Sequence, residues 1–162
     1  ARSNSPPARN PGSKSLPNVR IAIFIAALLF AACAHAAEFR SVAQDAAVLY
    51  DAPSKAATPL YIVSRDYPLE VIVKLEAWVK VRDQTGALSW IENSALSDRH
   101  MVMVTTPSVQ VHVRPDEAAP IAFVAAQNVA LELLEVAPGG WLHVRHDDGS
   151  NGYLRASLVW GA

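Results

Sequence analysis

The sequence predicts an all-β protein made of two tandem copies of one small unit behind an N-terminal export signal. Three observations predict it. Beyond residue 40 the apolar residues alternate with a period of two, as strands require. The stretch WVKVRDQTGALSWI (78–91) returns 63 residues later as WLHVRHDDGSNGYL (141–154). Finally, an acid-free, proline-rich leader runs into a short apolar stretch that ends in small residues.

The leader ARSNSPPARNPGSKSLPNVR holds four of the eleven prolines and four of the fourteen basic residues, a composition that cannot build a core. Ile21 to Cys33 is apolar for thirteen residues and is followed by Ala34-His35-Ala36. A basic flank, a short apolar run and an A-x-A pattern predict a secretory signal peptide cut before Ala37. Thirteen residues fall short of the roughly 20 that cross a bilayer, so no transmembrane anchor is expected after processing. Cys33, the only cysteine, offers an alternative lipid-anchor site, but Phe30 stands where a Leu is usual. The reading adopted is ordinary cleavage, after which no cysteine chemistry is left. Cleavage before Ala37 leaves ten bases against fifteen acids. An acidic surface repels phosphate backbones, so no nucleic-acid partner is expected.

The repeat is read next, because a fixed period decides the architecture. At an offset of 63, Trp78 matches Trp141, Val81 matches Val144, Arg82 matches Arg145, Gly86 matches Gly149 and Ser94 matches Ser157. Trp90 falls on Tyr153. Upstream, the same offset lays Val48 on Val111 and Tyr50 on Val113, each followed by a proline-bracketed loop, PSKAATP (53–59) and PDEAAP (115–120). Each copy is about 60 residues, near the lower limit at which burial alone holds a domain together.

In PLEVIVKL (68–75) Leu69, Val71, Val73 and Leu75 alternate with Glu70 and Lys74 and predict a half-buried strand. WVKVRD (78–83) puts Val79 and Val81 on the core face, with Trp78, Lys80 and Arg82 on the other. DQTG (83–86) and DDGSNG (147–152) supply turn residues. VAAQNVALELLEV (124–136) could suit a helix by composition, but it aligns with the Val-rich strand of the first copy and is read as strand. HMVMV (100–104) is expected to complete the first sheet, with the linker ending at Pro107. The expected division is therefore 1–36 arm and signal peptide, 38–105 first unit, 106–162 second unit.

A Trp-x-x-Val strand, a tight turn, a Gly-aromatic-aliphatic step and a Ser-containing turn before a last strand resemble the second half of an SH3-like barrel. AVLYDAP (47–53) resembles its first strand, SALSDRHMVMV (94–104) closes the first copy and LVWGA (158–162) the second. The sequence from about Phe39 to Ala162 thus resembles a tandem of bacterial SH3-like domains. The resemblance implies two small barrels from an exported protein, of a kind similar to cell-wall-targeting domains. It also implies that Trp78 and Trp141 correspond to the Trp lining the peptide groove of signalling SH3 domains. The proline and tyrosine that complete a polyproline groove are replaced by Glu92 and Leu96 in one copy and by Arg155 and Val159 in the other. Polyproline recognition is therefore not expected. Ser89 also replaces the usual Gly before the aromatic.

The candidate ligand-binding residues are Trp78, Lys80 and Arg82 in the first copy and Trp141, His143 and Arg145 in the second. Each trio offers an aromatic platform for a sugar ring or peptide and a cation for its carboxylate. The alternative for each Trp is that it covers a loop or packs the copies together. Trp90 and Tyr153 are read as barrel edge or core. His143 and His146, three apart on a strand, would face opposite sides, and DDGSNG lacks the acids of a calcium loop. No metal, cofactor or catalytic residue is predicted: Ser94 and Ser157 sit in turns without a nucleophile elbow, and no carboxylate pair suggests a glycosidase.

These features predict an exported, periplasmic, non-catalytic binding or scaffold protein that recognises peptidoglycan or an envelope peptide. A rival is a periplasmic interaction module for an enzyme or sensor. A third reading is an accessory that binds a small molecule between the barrels.

Overall fold

Fourteen strands account for nearly all regular structure in residues 37–162, which, with Asn4, are the residues described by this computed structural model. The expected arm, signal peptide and Cys33 lie outside the described residues. Among the described residues no helix is long and apolar enough to cross a membrane.

The first barrel contains β1 (Phe39–Val42), β2 (Ala46–Tyr50), β3 (Pro59–Ser64), β4 (Pro68–Lys74), β5 (Trp78–Arg82), β6 (Leu88–Glu92) and β7 (Leu96–Ser97). The second contains β8 (Met101–Val104), β9 (Ser108–His112), β10 (Ile121–Ala126), β11 (Ala130–Ala137), β12 (Trp141–Arg145), β13 (Asn151–Arg155) and β14 (Val159–Trp160). Each set forms one antiparallel sheet with the same order, β3-β2-β6-β5-β4-β1-β7 and β10-β9-β13-β12-β11-β8-β14. The segment 124–136 is strand, as expected, broken by a turn at Gln127 and Asn128.

The two cores correspond residue for residue in strand position and burial. Val42, Leu49, Leu69, Val79, Val81 and Ile91 fill the first, and Val104, Val111, Leu131, Leu142, Val144 and Leu154 the second, all at most 1% exposed. Burying each of these side chains contributes about 1.5–3 kcal/mol relative to exposure. Without a disulfide in residues 37–162 this packing must carry each barrel.

Three expectations need correction. First, HMVMV does not complete the first sheet. Met101–Val104 is the first strand of the second, paired to β11 and β14 as Phe39–Val42 pairs to β4 and β7. Four apolar residues in a row suit it, because all four are buried. The passage between sheets thus lies between Ser97 and Met101.

Second, the repeat offset is 62, not 63, upstream of β5. Tyr50 pairs across to Trp90 and His112 to Tyr153, so Tyr50 is equivalent to His112 and Leu49 to Val111. The extra residue sits in the β11–β12 turn APGG, where Gly139 and Gly140 take positive φ angles of 75° and 77°. A one-residue slip reverses the face of every side chain: the constant offset lays half-buried Val48 on the core residue Val111, whose true counterpart is the buried Leu49.

Third, the alternation along 68–75 stops midway. A register shift between Val71 and Val73 leaves Ile72, Val73 and Leu75 exposed. The second copy has a matching bulge between Leu133 and Glu135. Such bulges bend a strand and let a small sheet close on itself.

Residues 37–162 pack as one unit. Arg99, in the short passage between sheets, reaches Asp66 of the first barrel at 2.8 Å and Glu132 of the second at 3.5 Å. Phe39 meets Trp160 edge-on with centroids 5.1 Å apart.

Candidate functional site

The hairpins β5–β6 and β12–β13 fix the candidate residues. Val79, Val81, Leu142 and Val144 face the cores, so alternation turns Trp78, Lys80 and Arg82, and Trp141, His143 and Arg145, outward. The hairpin turns share their glycine but place the aspartate differently, Asp83 three residues before Gly86, where the second turn has His146, and Asp148 one residue before Gly149. Gly86 (φ 89°) and Gly149 (φ 91°) take the positive angle, while the Asp83 and Asp148 carboxylates accept backbone N–H groups two residues on at 2.8 Å. The Ser150 N–H holds the Asp148 carboxyl below its ordinary pKa.

Antiparallel register decides the neighbours across each ladder. In the first barrel Trp78 lies opposite Glu92, Lys80 opposite Trp90 and Arg82 opposite Leu88. In the second Trp141 lies opposite Arg155, His143 opposite Tyr153 and Arg145 opposite Asn151. Trp90 and Tyr153 therefore share the outward face with the candidate trios instead of belonging to the core, which Ile91 and Leu154 enter.

The first face is an aromatic cluster. Tyr50 and Trp78 meet edge to face with centroids 5.5 Å apart, and Lys80 Nζ lies 5.9 Å from the centre of the Trp90 ring. Trp78 and Trp90 are half-buried. Glu92 is bridged at 2.9 Å by Lys55 of the PSKAATP loop, which holds the lysine pKa above its ordinary value through that hydrogen bond.

The second face is more closed. Trp141 is only 5% exposed and thus is not an open platform. The Arg155 guanidinium carbon lies 4.2 Å from its ring centre, and His112 meets it edge-on with centroids 5.9 Å apart. Arg155 gives two hydrogen bonds to Glu117 Oε1, at 2.8 and 3.1 Å, and a third to the Gly139 carbonyl at 2.8 Å. His112 Nδ1 sits 2.9 Å from the Ala119 carbonyl, so it carries a proton and donates, leaving Nε2 as the other polar end of the ring. Trp141, His112, Arg155 and Glu117, with Ser108, Val109, Gln110 and Leu158, line a cavity of about 320 Å³. His143 stacks flat on Tyr153 at 4.5 Å, in the place of the Lys80–Trp90 pair.

Arg82 and Arg145 are not brought to the tryptophans. Four residues along a strand is roughly 13 Å, and each arginine is engaged by the equivalent glutamate, Arg82 with Glu70 at 3.1 Å and Arg145 with Glu132 at 2.6 Å. The Arg145 hydrogen bond holds the Glu132 carboxyl below its ordinary pKa, and Arg99 adds to it. The charged groups adjacent to Trp78 and Trp141 are instead Glu92 and Arg155. A groove of about 460 Å³ also runs along the barrel junction, with Phe39, Val136, Leu142 and Trp160 among its lining. Among the described residues no group of three or more His, Cys, Asp or Glu side chains is placed to hold a metal ion.

The sequence model of the family described as "Bacterial SH3 domain" matches residues 43–98 and again 106–161. The chain belongs to the bacterial SH3 domain family. It carries two such domains in tandem, and each matched segment contains one outward Trp face. No curated protein matches the chain. Solved structures similar to it include NlpC1 from Trichomonas vaginalis, 14% identical over 80% of this chain and 48% of that one with a TM-score of 0.37. NlpC2 from the same organism is 15% identical over 76% and 48% with a TM-score of 0.37. An NlpC/P60 family protein from Bacillus cereus is 18% identical over 75% and 55% with a TM-score of 0.34. The chain spans about half the length of these structures.

Between its two SH3 domains the chain keeps the Trp and changes what surrounds it. Tyr50 becomes His112, Glu92 becomes Arg155, and Lys55 becomes Glu117. Sequence reasoning missed Tyr50, His112, Lys55 and Glu117 as parts of the faces. The cross-strand partners were within reach, since counting outward from the hairpin turn pairs Trp78 with Glu92. The loop residues were not, because Glu117 reaches Arg155 from 38 positions away.

Proposed function

We propose that this is an exported, non-catalytic binding protein whose two SH3 domains present aromatic faces to peptidoglycan or to a peptide of the cell envelope. The observation that carries the reading is the outward cluster of Tyr50, Trp78, Lys80 and Trp90, with a second cluster of His112, Trp141, Tyr153 and His143 at the equivalent positions. The half-buried rings of Tyr50, Trp78 and Trp90 offer flat apolar area on a rigid sheet at little conformational cost, suited to sugar C–H groups, peptide planes and cations, while the covered Trp141 contributes as the floor of its cavity. The basic leader, the apolar run and Ala34-His35-Ala36 support export to the periplasm.

Sedimentation with purified sacculi at low and high salt tests the reading. Binding that survives salt and weakens at least tenfold in Trp78→Ala at unchanged melting temperature supports it. No sedimentation, with Trp78→Ala changing only stability, ends it.

A second reading, an interaction module for a periplasmic enzyme or sensor, is favoured by one feature. Edge strand β3 exposes Leu60, Tyr61 and Ile62, the last at 74%, and an open edge can accept a strand from another protein. Crosslinking through β3 to one specific partner, without affinity for sacculi, would select it.

A further inference from the structure

The same ion pair stands beside the Trp of both domains with its charges exchanged. In the first domain the strand residue opposite Trp78 is the acid, Glu92, and the loop supplies the base, Lys55, at 2.9 Å. In the second the strand residue opposite Trp141 is the base, Arg155, and the loop supplies the acid, Glu117, at 2.8 Å. In both pairs the strand partner is the more sheltered. Side-chain exposure is 33% for Glu92 against 76% for Lys55, and 38% for Arg155 against 72% for Glu117.

The sheltered partner is fixed by its place in the ladder opposite the Trp. Arg155 has further anchors in the Trp141 face and the Gly139 carbonyl, so it holds its place without Glu117. The loop partner has weaker ties: an exposed ion pair contributes little, and a long side chain regains freedom when it lets go. An incoming charge of the loop residue's sign can therefore take its position at small cost, and Lys55 and Glu117 act as stand-ins for ligand groups.

We infer that the two SH3 domains are not duplicate sites but sites of opposite polarity. The Glu92–Trp78 site takes an ammonium group, and the Arg155–Trp141 site takes a carboxylate. This inference rests on the reading of these faces as binding surfaces, and it narrows the ligand to a peptide that carries both a free amine and a free carboxylate. The second site adds detail. A carboxylate on Arg155 sits at the rim of the cavity of about 320 Å³, which is at the small end for ligand pockets. Such a cavity suits the last residue or two of a peptide chain. His112 Nε2, left over by the Nδ1 contact, is available to a polar group entering there. In the first site an ammonium that takes the place of Lys55 gains charge pairing with Glu92, next to the edge-to-face pair of Tyr50 and Trp78.

The test follows the indole N–H signals of Trp78 and Trp141 in the full chain by heteronuclear NMR, with three small probes. These are N-acetyl-alanyl-alanine, its C-terminal amide, and alanyl-alanine amide with a free amine. The inference predicts that the acid moves Trp141 alone, that alanyl-alanine amide moves Trp78 alone, and that the doubly blocked amide moves neither. Arg155→Gln should weaken the acid response at least tenfold, and Glu117→Gln should strengthen it several-fold by removing the internal competitor. The charge exchange Lys55→Glu with Glu92→Arg should make Trp78 respond to the acid, a gain that misfolding cannot imitate. Equal responses to acid and amide, an acid response confined to Trp78, or no response from either indole at millimolar probe would overturn it. Because the probes contain no wall material, polarity can hold while sacculus binding fails. That outcome would keep this inference and discard the peptidoglycan reading.

Discussion

Arg155 lies over the face of Trp141, 4.2 Å from its ring centre, and directly across the β12–β13 ladder from it. One contact thus makes two things of a single Trp: the floor of a cavity and a packing residue. Trp78, whose partner across the ladder is the acid Glu92, has no such roof from its own strand neighbour.

The difference predicts unequal stability effects. Trp141→Ala removes a side chain that is 5% exposed and should cost about 3–5 kcal/mol, as large aromatic truncations in packed sites do. Trp78→Ala removes a half-buried ring and should cost about 1–2 kcal/mol on the basis of area alone. Urea unfolding of the two variants measures both, and the reverse order would mean that the roof over Trp141 does not form in solution.

Gly152 makes a separate prediction. A Cβ there would lie 2.5 Å from the His112 carbonyl oxygen and 2.9 Å from a Val111 methyl, and backbone cannot give way cheaply. Gly152→Ala should destabilise by more than about 2 kcal/mol. The equivalent position of the first domain holds buried Ser89, so Ser89→Ala should cost much less, and thermal melts of the pair decide the matter.

The Glu132 carboxyl supplies a pH dependence. Its pKa is lowered, mainly by the Arg145 hydrogen bond. A group with a depressed folded-state pKa stabilises fully above its unfolded value, near 4.5, and loses that contribution as pH falls through the folded value. Glu132→Gln should therefore lower stability by about 1 kcal/mol at pH 7, with the gap to wild type shrinking below about pH 4. Denaturant midpoints at pH 7 and pH 3 check it; a gap that widens in acid would contradict it.

Cleavage experiments should locate the true boundary. A fragment beginning near Pro107 lacks Met101–Val104, whose four residues are all buried between β11 and β14. It should fail to fold, whereas a fragment beginning at Asp98 keeps every strand of the second sheet. Circular dichroism melts of the two fragments separate these outcomes.

Much of the architecture could be read from residues alone. Val79, Val81 and the turn glycines Gly86 and Gly149 stand where strand period and positive φ require them, and the family match followed the same repeat. The constant offset failed because one turn residue was gained at Pro138-Gly139-Gly140, a change that alternation in the flanking strands does not reveal. The run HMVMV was misassigned because continuous apolarity says that a strand is buried, not which sheet buries it. For the site, the outward direction of Trp78 and Trp141 was legible. Arg82 and Arg145 looked like their partners because they are near in sequence, yet on a strand the close neighbour lies across the ladder. Around Trp141 stand Arg155 over its face and His112 at its edge, with Glu117 paired to Arg155, and His112 and Glu117 are brought in by strand pairing and loop closure over distances that no local pattern encodes.

The central claim is that the outward Trp faces meet the ligand, and the chain's four tryptophans allow it to be tested in one spectrum. Soluble peptidoglycan fragments would be added to the labelled protein while the four indole N–H signals, assigned by single Trp→Phe changes, are followed. The account predicts that Trp78, Trp90 and Trp141 shift and that Trp160, packed against Phe39 at the barrel junction, stays still. A shift confined to Trp160, or none at all, would contradict it and return the other three to the status of packing residues.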